Sequence, residues 1–124
     1  MVRTEIAEMS FDESTSILHI KMFEDAKMDL ENTVEHYDLI KSLTSGKKHL
    51  VLVDATHFFS IDEKALQYAA QPETTKNRIA TAYFTTHLGN RFTTNFFKTF
   101  YKPNLPVQSF KTKQEALEWL KTQL

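Results

Sequence analysis

The sequence predicts a single α/β domain over residues 1–124, with about four helices on a mainly parallel sheet that carries an antiparallel N-terminal strand. Residues 50–53 form a continuous aliphatic run, typical of a strand covered on both faces. From there, short apolar segments alternate with segments of helical periodicity, which predicts right-handed crossovers and parallel strands. The polar–apolar alternation of residues 4–11 and 17–22 predicts an N-terminal hairpin.

The first predicted helix covers residues 30–43. Asp29 is placed to cap its start, and Gly46 follows its end as a stop signal. The apolar side chains that recur at helical spacing are Val34, Tyr37, Ile40 and Leu43. The buried strand at residues 50–53 comes next.

A second helix is predicted over residues 62–70. Ser60 and Glu63 match a capping box, in which a serine caps the helix and a glutamate three residues later caps it in return. Pro72 ends this helix because proline cannot continue it.

Two further strands and a last helix complete the prediction. Residues 79–85 form another buried strand, and residues 106–110 form a short strand whose proline suits an edge of the sheet. Thr112 and Glu115 form a second capping box, and they predict a C-terminal helix.

Between these two strands, apolar residues step by four along a predicted aromatic helix that Pro103 ends: Leu88, Phe92, Phe96 and Phe100. We expect Phe92 and Phe96 to face the sheet. Phe97 and Tyr101 form a second row beside them, and a helix packed on a sheet needs only one. The second row is either covered by the C-terminal helix or exposed to an apolar ligand or a second copy of the chain.

The composition excludes several classes of function. Without cysteine there is no disulfide, thiolate nucleophile or cysteine-based zinc site. A net charge of −1 gives no support for nucleic-acid binding, and the two glycines, Gly46 and Gly89, form no phosphate-binding loop. No run approaches the roughly 18–20 apolar residues of a membrane span, and the N-terminus lacks a signal-peptide core, so we expect a cytoplasmic protein.

Two polar groupings invite a catalytic or metal-binding interpretation. Asp54, His57 and Ser60 suggest a hydrolase triad, but no glycines make room for an oxyanion site, so we expect no enzyme. No two of the five histidines have the short spacing of a metal-binding motif, although His57 and His87 could meet near Asp54. We therefore expect no metal and no cofactor, and we expect these histidines at the surface: His19, His36, His49, His57 and His87.

Residues 52–66, LVDATHFFSIDEKAL, resemble the signature of STAS domains, the family that includes the anti-sigma-factor antagonists. In that signature a hydrophobic strand ends in Asp, and a short loop with an aromatic residue leads to Asp-Ser-Ser-Gly-Leu at the start of a helix. Asp54, Asp62 and Leu66 match without a gap. Most of the chain is also similar to small bacterial STAS-like proteins of uncharacterised function, which implies a STAS-like fold. Three segments carry this resemblance: residues 51–55, the aromatic segment 95–103 and the ending 110–120.

One departure from this signature bears on function. The resemblance implies that antagonists carry a phosphorylated serine at the helix start, where this chain has Glu63 and Lys64. Ser60 lies three residues too early to replace that serine. We therefore expect the fold without the phosphorylation switch.

The loops after the strands define a candidate binding rim, because the carboxyl ends of parallel strands meet at one edge of a sheet. Arg91, at the start of the aromatic helix, could help to hold an anion there. The alternative is that Thr86 or His87 only caps that helix and that Arg91 is solvated. The predicted partner-binding residues are Asp54, His57, Asp62, Lys64, Thr86, His87 and Arg91.

These observations favour a non-enzymatic module for protein recognition or signalling. Its expected partner is a regulatory protein or a second copy of the chain, with no nucleic acid and no membrane span. The alternative is an apolar small molecule or lipid bound between the aromatic helix and the sheet.

Overall fold

A computed structural model describes residues 1–87 and 105–124. The strands are β1 (Val2–Arg3), β2 (Ala7–Asp12), β3 (Ile17–Met22), β4 (Ala26–Met28), β5 (His49–Asp54), β6 (Phe59–Ile61), β7 (Arg78–Phe84) and β8 (Val107–Phe110). The helices are α1 (Leu30–Thr44), α2 (Glu63–Ala69) and α3 (Lys113–Lys121), with a 3-10 turn at Pro72–Thr75. The predicted aromatic helix, with Arg91, Phe97 and Tyr101, lies outside the described residues.

The mainly parallel sheet with an antiparallel N-terminal hairpin is confirmed, and it contains one strand, β1, that was not predicted. Its six strands lie in the order β1-β2-β3-β5-β7-β8. The β1–β2 and β2–β3 pairs are antiparallel, and β3, β5, β7 and β8 run parallel to their neighbours. The strand predicted to lie inside the sheet, β5, is buried from His49 to Val53, and β8 lies at the edge.

A second, two-stranded sheet was not predicted. Strand β4 pairs in parallel with β6, and Ser60 stands opposite Lys27 in that pairing. Ser60 is therefore a strand residue, and the capping box assigned to it is wrong. The cap of α2 is Asp62, whose carboxylate accepts the Ala65 N–H at 2.9 Å.

The other predicted helix boundaries are confirmed by their caps. The Asp29 carboxylate accepts the Asn32 N–H, and the Asn32 side-chain oxygen accepts the Asp29 N–H in return. The Thr112 hydroxyl accepts the Glu115 N–H at the start of α3. Each of these bonds satisfies a donor that the first helical turn leaves unpaired.

The two faces of the six-stranded sheet carry separate cores. Helices α1 and α2 cover one face, where Leu18, Ile20, Val51 and Val53 are buried. Helix α3 covers the other, where Leu50, Leu52, Ala80, Ala82, Ala116 and Leu120 are buried. Alternate residues of β5 thus point to opposite faces, as the pleat requires.

The buried line of α1 differs from the predicted one. Thr33, His36, Ile40 and Thr44 are its buried residues together with Asn32, whereas Val34, Tyr37 and Leu43 are only partly buried. His36 and His49 are both buried, so the expectation that every histidine lies at the surface is wrong. Of the predicted residues, Ile40 lies in the buried line, and Val34, Tyr37 and Leu43 lie beside it. The line includes polar side chains, and a search for periodic apolar residues does not detect those.

A β-bulge interrupts the pairing of β5 with β7. His49 stands opposite Arg78, but Leu50 stands opposite Ala80, so Ile79 is the extra residue. Residues three apart on a regular strand lie on opposite faces, and one extra residue brings them to the same face. The bulge therefore directs Arg78 to the side of the sheet that also carries Thr81 and Tyr83.

Within residues 1–87 and 105–124, no helix combines the length and apolar character that crossing a bilayer requires.

Candidate functional site

The first candidate site is the rim that the sequence predicts. Of its described residues, Asp54 ends β5, His57 lies in the loop after it, and Thr86 and His87 follow β7. The centres of the Phe58 and His87 rings lie 5.1 Å apart, and the rings are tilted relative to each other. The structure therefore brings the two loops together. Ala55 N–H donates to the Phe84 carbonyl and joins the loops at their base.

Local hydrogen bonds shape the rim loops. The Asp54 carboxylate accepts the backbone N–H and the hydroxyl of Thr56. The Thr85 hydroxyl, which belongs to a buried residue, accepts the His87 N–H at 3.0 Å. Asp54 therefore holds its own loop in shape, as Asx turns do.

The remaining predicted rim residues lie on α2. Asp62 and Lys64 are exposed, and Asp62 has its carboxylate engaged as the helix cap. They follow the rim loop after the three residues of β6. Arg91 lies outside the described residues.

The most exposed apolar feature of the rim is Phe58. Phe58 is 40% exposed, and among the described residues no other Phe, Tyr or Trp is exposed. The signature resemblance placed an aromatic in this loop but gave it no role, so Phe58 was not among the predicted site residues.

A second candidate site, which the sequence analysis did not predict, is a cavity between the sheet and helices α1 and α2. Its volume is about 70 Å³. The wall is mainly apolar, with Ile20, Val53, Phe59 and Leu66 among its residues. We call it the Arg78 cavity, after the cation on its wall. The other polar side chains among its described lining residues are His36, Tyr37, Thr75, Thr81 and Tyr83.

Arg78 is half-buried in this wall. One terminal nitrogen donates to the Thr81 hydroxyl at 3.2 Å, and the guanidinium lies 5.7 Å from the centre of the Tyr37 ring. Its Nε is buried without a hydrogen-bond partner. The sequence does show polar residues, Arg78 and Thr81, in the buried strand β7. It does not show the bulge at Ile79, which turns Arg78 toward the cavity.

Two titratable groups of the cavity wall, His36 and Tyr83, are held neutral. Burial, helped by the positive charge of Arg78, lowers the pKa of His36 to about 3. Burial also raises the pKa of Tyr83 to about 12. His36 Nδ1 is buried and has no hydrogen-bond partner. At neutral pH the wall therefore offers one cation and several neutral polar groups.

Within the described part of the chain, no group of three or more His, Asp or Glu side chains is arranged to hold a metal ion.

The architecture is that of a SpoIIAA-like fold, the fold of STAS domains. A similar solved structure is an uncharacterised protein of the DUF3478 family with a SpoIIAA-like fold, from Shewanella loihica PV-4. Its TM-score is 0.66 at 17% sequence identity, and the match covers 97% of this chain and 98% of that one. The STAS-like fold that the sequence resemblance implied is therefore confirmed.

The chain belongs to the family described as a domain of unknown function, DUF7793, which matches residues 10–124. No match was found among curated proteins.

Proposed function

We propose that this STAS-like domain is a non-enzymatic protein-recognition module that binds its partner at the rim. The observation that carries the proposal is Phe58, an exposed aromatic ring braced by His87 where two loops meet. Aromatic side chains on a firm support are the residues that most often anchor protein interfaces. The same loops carry the exposed polar residues Thr56 and Thr86, and Lys64 is exposed in the first turn of α2.

The start of α2 supports recognition without a phosphorylation switch. Asp62 is the cap, so Glu63 takes the first helical position, where the resemblance to the antagonists implies a serine. Glu63 is exposed and bears a permanent negative charge next to the positive end of the helix dipole. A partner would therefore meet the same charge at all times.

Site-specific photocrosslinking tests this function. A photoreactive phenylalanine analogue replaces Phe58 in cells of the source organism, and the same analogue at the exposed position Lys121 on α3 is the control. We expect one discrete protein adduct from position 58 and none from position 121. Lys64→Glu should weaken the adduct, and Lys121→Glu should not. Equal adducts at both positions, or none at position 58, would refute the proposal.

Size-exclusion chromatography with light scattering identifies the kind of partner. If the partner is a second copy of the chain, the purified protein is a dimer that Phe58→Ala converts to a monomer. If it is a regulatory protein, the purified chain is a monomer before and after that substitution.

A second candidate function is the binding of an apolar small molecule. The predicted site between the aromatic helix and the sheet involves residues 88–104, outside the described residues. The Arg78 cavity favours the same function, because most of the described part of its wall is apolar. Native mass spectrometry of the purified protein tests this candidate: a bound small molecule supports it, and a mass equal to that of the chain alone counts against it.

A further inference from the structure

From the geometry of the Arg78 cavity we infer that it binds a small monocarboxylate, whose carboxylate group pairs with the Arg78 guanidinium. This inference concerns side chains separate from the rim, so it does not depend on the protein-recognition function. It deepens the second candidate function by naming the chemical class of the ligand.

The first argument is the missing counter-charge. The ion pairs of the described residues are Arg3–Glu8 and Lys47–Glu13, and neither includes Arg78. Residues 88–104 contain no Asp or Glu, so that segment cannot supply a carboxylate. Arg78 is half-buried, with its Nε closed to water, and burying part of a cation without an anionic partner is costly. A bound carboxylate would offset that cost.

The second argument is the direction of Arg78. The bulge at Ile79 places Arg78 on the same face as Thr81 and Tyr83. Bulges occur often beside binding sites, where they redirect one side chain. A regular strand would carry this guanidinium on the other face of the sheet.

The third argument is a second unsatisfied group on the same wall. His36 is 5% exposed, it lines the cavity, and its Nδ1 has no partner. Arg78 Nε is likewise buried and unpaired. Two unpaired nitrogens on one wall are unusual in a folded protein, where buried polar atoms nearly always find partners. Both nitrogens are closed even to a water molecule, so a carboxylate in the cavity would pair with the terminal nitrogens of the Arg78 guanidinium.

Charge and size select the class of anion. Arg78 is the one Lys or Arg side chain among the described residues that line the cavity, and a single guanidinium pairs with one carboxylate. A planar guanidinium binds a carboxylate through two parallel hydrogen bonds. The cavity, about 70 Å³, is roughly half the size of an engineered cavity that holds benzene, so the apolar part of the ligand is a short chain.

Titration calorimetry with sodium butyrate tests the inference, with n-butanol as the uncharged probe and inorganic phosphate as the alternative anion. We expect the wild-type protein to bind butyrate, and to bind n-butanol and phosphate at least tenfold more weakly. Arg78→Gln should weaken butyrate binding by about ten- to hundredfold, the range for a hydrogen bond to a charged group. Arg3→Gln is the matched control, because Arg3 also lies over a ring, that of Phe23 at 5.2 Å, but has a carboxylate partner.

Thermal unfolding without ligand separates a ligand-binding role from a packing role. Because Arg78 has no anionic partner, Arg78→Gln should unfold at or above the wild-type temperature. A clearly lower temperature would show that Arg78 stabilises the fold through Thr81 and Tyr37, and it would overturn the inference.

A measurement on the wild-type protein needs no variant to fold. In nitrogen-correlated NMR spectra, butyrate should shift the Arg78 Nε–H resonance and leave that of Arg3 unchanged. Equal shifts of both arginines, no heat of binding, or tighter binding of phosphate than of butyrate would each overturn the assignment to a monocarboxylate.

Discussion

On one face of the sheet, Ala116 and Leu120 of α3 pack in one core with Ala80 and Ala82 of β7, and all four are fully buried. On the opposite face, α1 and α2 leave a cavity, and Arg78 lies in its wall. Small residues let a helix approach a sheet closely, so the side chains on the α3 face are close-packed. Packing of this kind stabilises the fold and leaves no space for a ligand between the packed side chains. The cavity face carries unpaired polar groups that weaken the fold, which is the usual mark of a site kept for binding.

We expect the two faces to differ most in the free energy of unfolding that is lost when a leucine is replaced by alanine. Leu120→Ala should lower the free energy of unfolding by about 2–5 kcal/mol, because a new cavity forms under α3. Leu66→Ala on α2 should fall at the lower end of that range, since Leu66 already borders a cavity. Urea denaturation of both variants measures this, and equal losses would break the comparison.

Filling space should show the opposite order. Ala82→Leu forces extra volume between β7 and α3, and it should cost about 1–3 kcal/mol. Ala69→Leu directs the same extra volume toward the Arg78 cavity, so we expect a cost below about 1 kcal/mol. Thermal melts of the two variants decide it. A larger loss from Ala69→Leu would mean that the cavity has no room for a side chain of this size.

The pH dependence of stability should come partly from the cavity face. Burial, and secondly the charge of Arg78, lowers the pKa of His36 from 6.5 to about 3 in the folded protein. Between those values the unfolded chain binds a proton at this ring and the folded protein does not. The free energy of unfolding therefore falls as the pH falls from 6.5 toward 3, by a contribution approaching about 1.4 kcal/mol per pH unit.

His36→Gln should remove that contribution to the slope. Urea denaturation at pH 6.5, 5.5 and 4.5 measures it, and Leu66→Ala serves as a control that lowers stability without removing a titratable group. An unchanged slope in His36→Gln would show that His36 is free to take up a proton in the folded state.

The smallest expected effects are those of the helix caps, which should be alike on both faces. Asp62→Ala and Thr112→Ala should each cost about 1 kcal/mol, because each removes one acceptor from a first helical turn. Ser60→Ala, in β6, should change the free energy of unfolding by less than about 0.5 kcal/mol. Chemical denaturation of the three variants checks this; a larger loss for Ser60→Ala than for Asp62→Ala would contradict the assignment of the cap.

Local patterns were sufficient for most of the sheet and for the helix ends. Alternation predicted the hairpin, in which the buried residues Met9 and Ile20 stand opposite each other in the β2–β3 pair. Asp29 and Thr112 were identified as caps because a cap depends only on residues within one helical turn. The STAS-like resemblance also held, since Asp62 begins α2 where the signature places it.

The rim was predicted in part. Its loops are neighbours because adjacent parallel strands end at the same edge, a consequence of strand order that the sequence pattern already implied. Ser60 was misplaced because a serine followed by a glutamate suits a helix cap, while its true pairing with Lys27 joins segments far apart in the chain. No local pattern records such a pairing.

The sequence by itself determined most strands of the six-stranded sheet and the positions of α1, α2 and α3, because those choices depend on side chains a few residues apart. It did not determine β1 or the β4–β6 pair. Only the tertiary structure decided that Ile79 bulges, that Arg78 turns inward and that His36 is buried beside it. Each of these depends on the register of one strand against another and on what lies across the core. The STAS-like fold could thus be read from the chain, whereas the Arg78 cavity exists only once distant segments have packed together.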